Sequence, residues 1–181
     1  TPTGVATTFI TPDGQRTFLD YLGAAVELTA DDITDNMLAG YKYLYLEGYL
    51  VQNHALVDSV VSIAKRMGMK ICLDMASYNI VESDLEYFTT LVRNYVDIVF
   101  ANEEESLAFT GLEPAKALET IAGMCDIAIV KLGSKGSTAA RRDASSGTLE
   151  KAAVAAGKVE HVTDTTAAGD FFAAGFLHAL V

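Results

Sequence analysis

Between residues 43 and 132, short apolar runs alternate with longer segments whose apolar residues recur at helical spacing. The runs at 43–50, 69–73, 96–101 and 127–132 are of strand length and nearly continuous in apolar side chains. Residues 54–67 repeat Leu56, Val57, Val60, Val61, Ile63 and Ala64 along a single helical face. Two further helices are expected at 83–92, with Ser83 as N-cap, and at 115–124, with Pro114 near the first turn. A strand that is apolar at successive positions cannot turn either face to water. The pattern therefore predicts an α/β fold, a mainly parallel sheet flanked by helices on both faces.

The flanks read differently. Residues 5–10 and 16–22 are rich in β-formers and bracket Thr11-Pro12-Asp13-Gly14, so a small lid-like β hairpin is expected there. A further hairpin is expected at 137–142 and 147–153, and a last helix near Gly169. The division expected is a hairpin segment over 1–28 and an α/β core over 29–181. Residues 171–181 carry no helix stop signal and the first residue is Thr1, inside a hairpin strand. The chain is thus expected to be truncated at both ends.

Composition narrows the partners. The net charge of −11 argues against nucleic acid, which needs surfaces of Lys and Arg. No apolar run approaches the ~20 residues of a membrane helix, so no membrane partner is expected. Cys72 and Cys125 lie in strand-like apolar runs and read as reduced, buried thiols in a cytoplasmic protein. Neither a zinc site nor a Cys/His nucleophile can be assembled from them and the scattered His54, His161 and His178.

In a parallel sheet the ligand site lies beyond the carboxyl ends of the strands. Asp74, Asn102, Gly133 and Asp170 are each expected just after a strand. Around Asp170 the chain reads Asp164-Thr165-Thr166-Ala167-Ala168-Gly169-Asp170 and runs straight into an apolar helix. Small residues at a helix start let backbone N–H groups approach an anion closely. Asp170 then either complements the helix dipole or serves as a base beside a phosphate, with the N–H groups of Ala168 and Gly169 holding developing charge. Lys131-Leu132-Gly133-Ser134-Lys135-Gly136 is a strand followed by a glycine turn. It is either an ordinary tight turn or a ligand loop, and its spacing is not that of a P-loop. Asn102-Glu103-Glu104-Glu105 supplies either dipole-complementing carboxylates or one that orients water around magnesium. Glu47 interrupts an apolar strand, so it sits at the strand's open end or serves a purpose.

The segment 164–177 resembles the carboxy-terminal signature of the ribokinase-like (PfkB-type) carbohydrate and nucleoside kinases, commonly D-T-x-G-A-G-D before a small, apolar helix. Asn102-x-x-Glu105 resembles the family's N-x-x-E motif, and Lys131-x-Gly133-x-x-Gly136 its nucleotide-binding loop. The order and spacing agree across essentially the whole chain. The resemblance implies a ribokinase-like fold and ATP-dependent phosphorylation of a hydroxymethyl group on a small-molecule sugar or nucleoside. It implies Asp170 as the general base, Ala167, Ala168 and Gly169 as the anion hole, and Glu105 with Asn102 on the magnesium–phosphate network. Lys131, Gly133, Ser134 and Gly136 would line the ATP site, and Glu47 would lie near the acceptor. In members that use a monovalent cation such as potassium, Asp164 and Thr166 would be its ligands. The wording around 21–25 and 45–50 resembles adenosine-kinase-like members more than fructokinases, and the lid hairpin suits a homodimer.

Ala167 stands where the family usually has glycine. A positive φ there would cost about 1 kcal/mol, whereas a negative φ would make alanine harmless. That substitution motivates a rival reading, a non-catalytic nucleotide-binding module of the same fold. A doubly wound oxidoreductase is a third reading, weakened because no G-x-G-x-x-G follows the early strands.

Overall fold

The computed structural model describes residues 1–11, 16–143, 145–160, 162 and 164–181. The turn expected at 12–14 and His161 lie outside them. The chain divides into two compact units, Thr1–Leu28 with Lys158–Val181, and Thr29–Gly157.

In the first unit, strands β1 (Thr3–Ile10) and β2 (Arg16–Gly23) form the expected antiparallel hairpin, with Thr8 opposite Phe18. A Cβ on Gly23 would lie 2.5 Å from the Pro2 carbonyl oxygen, so only glycine closes the hairpin at its base. The unit also holds a helix at Ala168–Leu180.

The second unit is the α/β core. Its elements are α1 (Asp35–Leu38), β3 (Tyr43–Glu47), α2 (His54–Arg66), β4 (Lys70–Asp74), α3 (Tyr78–Ser83), α4 (Leu85–Asn94), β5 (Ile98–Asn102), α5 (Glu103–Thr110), α6 (Pro114–Ala122), β6 (Ile127–Lys131), β7 (Ser137–Arg142) and β8 (Leu149–Val154). The Ala168–Leu180 helix is α7. One sheet of six strands runs β3-β4-β5-β6-β7-β8. The first four are parallel, and β7 and β8 return antiparallel as the expected second hairpin.

The continuous apolar runs are explained by the two faces of this sheet. Leu46, Leu73, Val99 and Ala128 share one face and join the buried residues of α2, α4 and α6 in one core. Cys72, Phe100 and Ile129 point to the other face and are equally buried. All six apolar residues singled out in α2 are buried, and Asn53 caps that helix by accepting the Leu56 N–H at 3.2 Å.

Several local expectations change. The run at 43–50 leaves the sheet at Glu47, because Gly48 turns the chain into a 3-10 helix, Gly48–Gln52. A Cβ on Gly48 would stand 2.5 Å from the Met75 carbonyl oxygen, so the backbones meet where an extended strand would have to continue. Ser83 ends α3 instead of capping the next helix, and its hydroxyl donates back to the Ile80 carbonyl at 2.8 Å. Asp84 takes the N-cap position of α4 without a side-chain cap, its carboxylate being engaged by His54. Cys125 precedes β6, is half-buried, and donates its thiol to the Ile127 carbonyl. Among the described residues no strand leads into Asp170: β8 ends at Val154 and α7 begins at Ala168.

Candidate active site

Parallel alignment of β3 to β6 brings their carboxyl ends to one edge. Each strand ends there on a polar residue: Glu47, Asp74, Asn102 and Lys131. Glu47 is opposite Asp74, and Asn102 is opposite Lys131, so strand alternation puts all four on one face of the sheet.

Asn102 and Glu105 form a reciprocal cap at the start of α5. The Asn102 side-chain oxygen accepts the Glu105 N–H at 2.8 Å, and Glu105 Oε2 accepts the Asn102 N–H at 2.7 Å. The Asn102 amide also donates to Glu105 Oε1 at 2.8 Å. This local chemistry is enough to explain an Asn three residues before a Glu at a helix start. It also holds a carboxylate out of water. Burial pushes Glu105 above the ordinary carboxylate range, against the Asn102 N–H and the nearby Lys131 charge, which pull it down.

Lys131 reaches across the end of β5 to Asp74, with Nζ 2.9 Å from Oδ2 and both side chains largely buried. Asp74 also accepts the Ala76 N–H at 3.0 Å and the Tyr45 hydroxyl at 3.4 Å. Beyond Lys131, Gly133–Lys135 forms a 3-10 turn closed by the Leu132 N–H donating to the Gly136 carbonyl at 2.8 Å. Gly133 and Ser134 are exposed. Lys135 pairs with Glu103 at 3.1 Å in open solvent, a contact of small energetic weight. Among the described residues no group of three or more His, Cys, Asp or Glu is placed to hold a metal ion.

In the other unit, Asp164 Oδ1 accepts both the Thr166 N–H at 2.8 Å and the Thr166 hydroxyl at 2.7 Å. These bonds hold the Asp164 carboxyl below its usual range. Arg16 Nη1 donates to the same hydroxyl at 2.8 Å. Ala167 adopts φ 59 and ψ 11 at the N-cap of α7, so the positive-φ case is the one realised. The Ala168 N–H donates to the Thr165 carbonyl at 3.1 Å. Asp170 stands exposed in the first turn, where helix geometry leaves N–H groups without partners of their own.

A family model of pfkB family carbohydrate kinases matches residues 1–181. The chain belongs to the pfkB family of carbohydrate kinases. This pfkB chain is 38% identical to an adenosine kinase from Sinorhizobium meliloti, with a TM-score of 0.88 over 97% of this chain and 54% of that one. A probable sugar kinase from Rhizobium etli CFN 42 is 34% identical, with a TM-score of 0.89 over 99% of this chain and 54% of that one. The guanosine-inosine kinase of Escherichia coli (strain K12) is 25% identical over 142 residues, 75% of this chain and 33% of that protein. The pfkB chain thus spans about half of the solved relatives and a third of the curated one. The ribokinase-like α/β fold expected from the sequence is the fold these relatives share.

The sheet edge brings Glu47, Asn102, Glu105 and Lys131 together with the 133–136 loop, whereas Asp164, Thr166 and residues 167–170 belong to the other unit. Two residues escaped the sequence reading. Tyr45 read only as part of an apolar strand, yet its hydroxyl meets Asp74. Arg16 read only as the start of a hairpin strand. A lone cation directly after a predicted turn was the signal available for it.

Proposed function

We propose that this chain carries the nucleotide site and catalytic helix of an ATP-dependent kinase acting on a hydroxymethyl group of a nucleoside or sugar, with an adenosine-like acceptor favoured over a ribose-like one. The observation that carries the reading is Asp170, exposed in the first turn of α7 directly after a left-handed Ala167. A carboxylate there can take the acceptor hydroxyl's proton while Ala167, Ala168 and Gly169 line the place where phosphoryl charge develops. The Ala168 N–H already serves the Thr165 carbonyl, so the Gly169 amide is the better-placed donor. The named relatives, an adenosine kinase, a probable sugar kinase and a guanosine-inosine kinase, support the acceptor class.

Lys131, Gly133, Ser134 and Gly136 would border the ATP phosphates, and Glu47 would face the acceptor. Magnesium would meet Glu105 through water, since Asn102 already donates to each carboxylate oxygen and magnesium retains waters readily. When bound there, the ion would supply positive charge to the phosphates. A potassium ion at Asp164 and Thr166 would meet the Arg16 guanidinium, which already donates to the Thr166 hydroxyl.

The test is Asp170→Asn in the encoded protein, assayed against adenosine, inosine, ribose and fructose with ATP. The variant should lose on the order of 10²–10⁴ in kcat and keep its ATP affinity. Unchanged turnover removes Asp170 from the mechanism. ATP binding by the parent protein without transfer to any acceptor favours the non-catalytic module.

A further inference from the structure

The buried ion pair at the sheet edge joins strands that are not neighbours. Asp74 ends β4 and Lys131 ends β6, with β5 between them. The lysine stem crosses the end of β5 to make the bond at 2.9 Å. Two carboxylates are available to this ammonium, because Glu105 is buried beside it and feels the charges of both Lys131 and Asp74. The bond goes to Asp74, while Asn102 donates one hydrogen bond to each Glu105 oxygen.

Asp74 is itself built to stay still. Its Oδ1 takes the Ala76 N–H and its Oδ2 is met by Tyr45 as well as by Lys131. The following Met75 N–H bonds to the Phe100 carbonyl at 3.0 Å, and Ala76 is held at φ 62, a conformation alanine avoids unless its surroundings impose it. Gly48 packs directly on the Met75 carbonyl.

We infer that Asp74 is a positioning residue: it pins the Lys131 ammonium across the carboxyl end of β5, at the sheet edge from which the 133–136 loop leaves β6, so that a nucleotide phosphate meets a donor already in place. An ammonium has three N–H groups, and Asp74 uses one. The stem has lost its rotamer freedom before any ligand arrives, and that loss would otherwise be charged to binding. This inference rests on the nucleotide-site reading above.

The experiment is a double-mutant cycle in the encoded protein with Asp74→Asn and Lys131→Met, read by calorimetric ATP binding and by steady-state kinetics. Asp74→Asn should weaken ATP binding about tenfold, the weight of a charge-assisted hydrogen bond. The KM for ATP should rise by the same factor with the acceptor's KM unchanged, a split that general loss of stability does not produce. In the Lys131→Met background Asp74→Asn should add no further loss. Tighter ATP binding by Asp74→Asn would make Asp74 a mere counter-charge and overturn the inference. Independent, additive losses, or wild-type affinity in Lys131→Met, would overturn it too. If Asp74→Asn alone does not fold, the uncharged pair still permits the comparison with Lys131→Met, and equal ATP affinities are the expected result. A parent protein that binds no ATP refutes instead the reading on which the inference stands.

Discussion

Ala167→Gly should stabilise this chain. Ala167 holds φ 59 and ψ 11, the left-handed region, at the N-cap of α7. A methyl group in that conformation costs roughly 1–2 kcal/mol. Glycine gives back roughly 0.4–1 kcal/mol through the greater freedom of its unfolded chain. It is also the better N-cap, by some tenths of a kcal/mol. The balance is about 1 kcal/mol in favour of glycine, or a rise of about 2–4 °C in Tm for a chain of this size. Thermal unfolding followed by circular dichroism measures it. Ala174→Gly is the internal control, since Ala174 is exposed within the same helix. There the identical change should cost about 1 kcal/mol. Opposite signs for two Ala→Gly changes so close in the chain would be hard to obtain by any other route. If Ala167→Gly lowers Tm as Ala174→Gly does, the strain argument is wrong and alanine is at ease at the start of α7.

Two further outcomes concern the core unit. A Cβ on Gly136 would lie 1.9 Å from the Val154 carbonyl oxygen, so Gly136→Ala should cost about 3 kcal/mol or more. Gly133 has φ 55, and a Cβ there would meet nothing within 4 Å, so Gly133→Ala should cost only about 1 kcal/mol; chemical denaturation of both variants checks the contrast. At the opposite sheet edge Asp97 is buried, which pushes its carboxyl up, but Lys70, the Ile71 N–H and Lys65 outweigh this and leave it below the ordinary value of 3.8. Its stabilising effect is therefore present above that value and lost as pH falls through the lower native one. Asp97→Asn should cost about 1–2 kcal/mol at pH 7, discounted because both lysines reach water. The difference from wild type in urea midpoint should shrink below about pH 4.

How much of this was legible beforehand depends on the range of each interaction. The apolar face of α2, Pro114 at the head of α6 and the Asn102–Glu105 cap are contacts among residues within a turn or two of one another, so their spacing alone encodes them. The continuous apolar runs likewise fixed a sheet buried on both faces, and with it the edge where Asp74, Asn102 and Gly133 collect. The end of β3 at Glu47 was hidden, because Gly48 is needed only when the Met75 backbone comes within a methyl's reach. So was the role of Asp84, whose partner His54 lies on another helix.

Amino-acid order by itself determined the elements, the layer class and the motifs that carry the family resemblance, since helix caps, strand alternation and glycine turns are local physics. Only the tertiary structure decided whether Ala167 is strained, that Lys131 pairs with Asp74 in preference to Glu105, and that Arg16 meets Thr166. Those outcomes depend on strand order, register and backbone torsion, which bring together residues 57 and 150 positions apart. No spacing rule along the chain reaches that far, because the bond is set by where the sheet and hairpin place each backbone and not by the residues between.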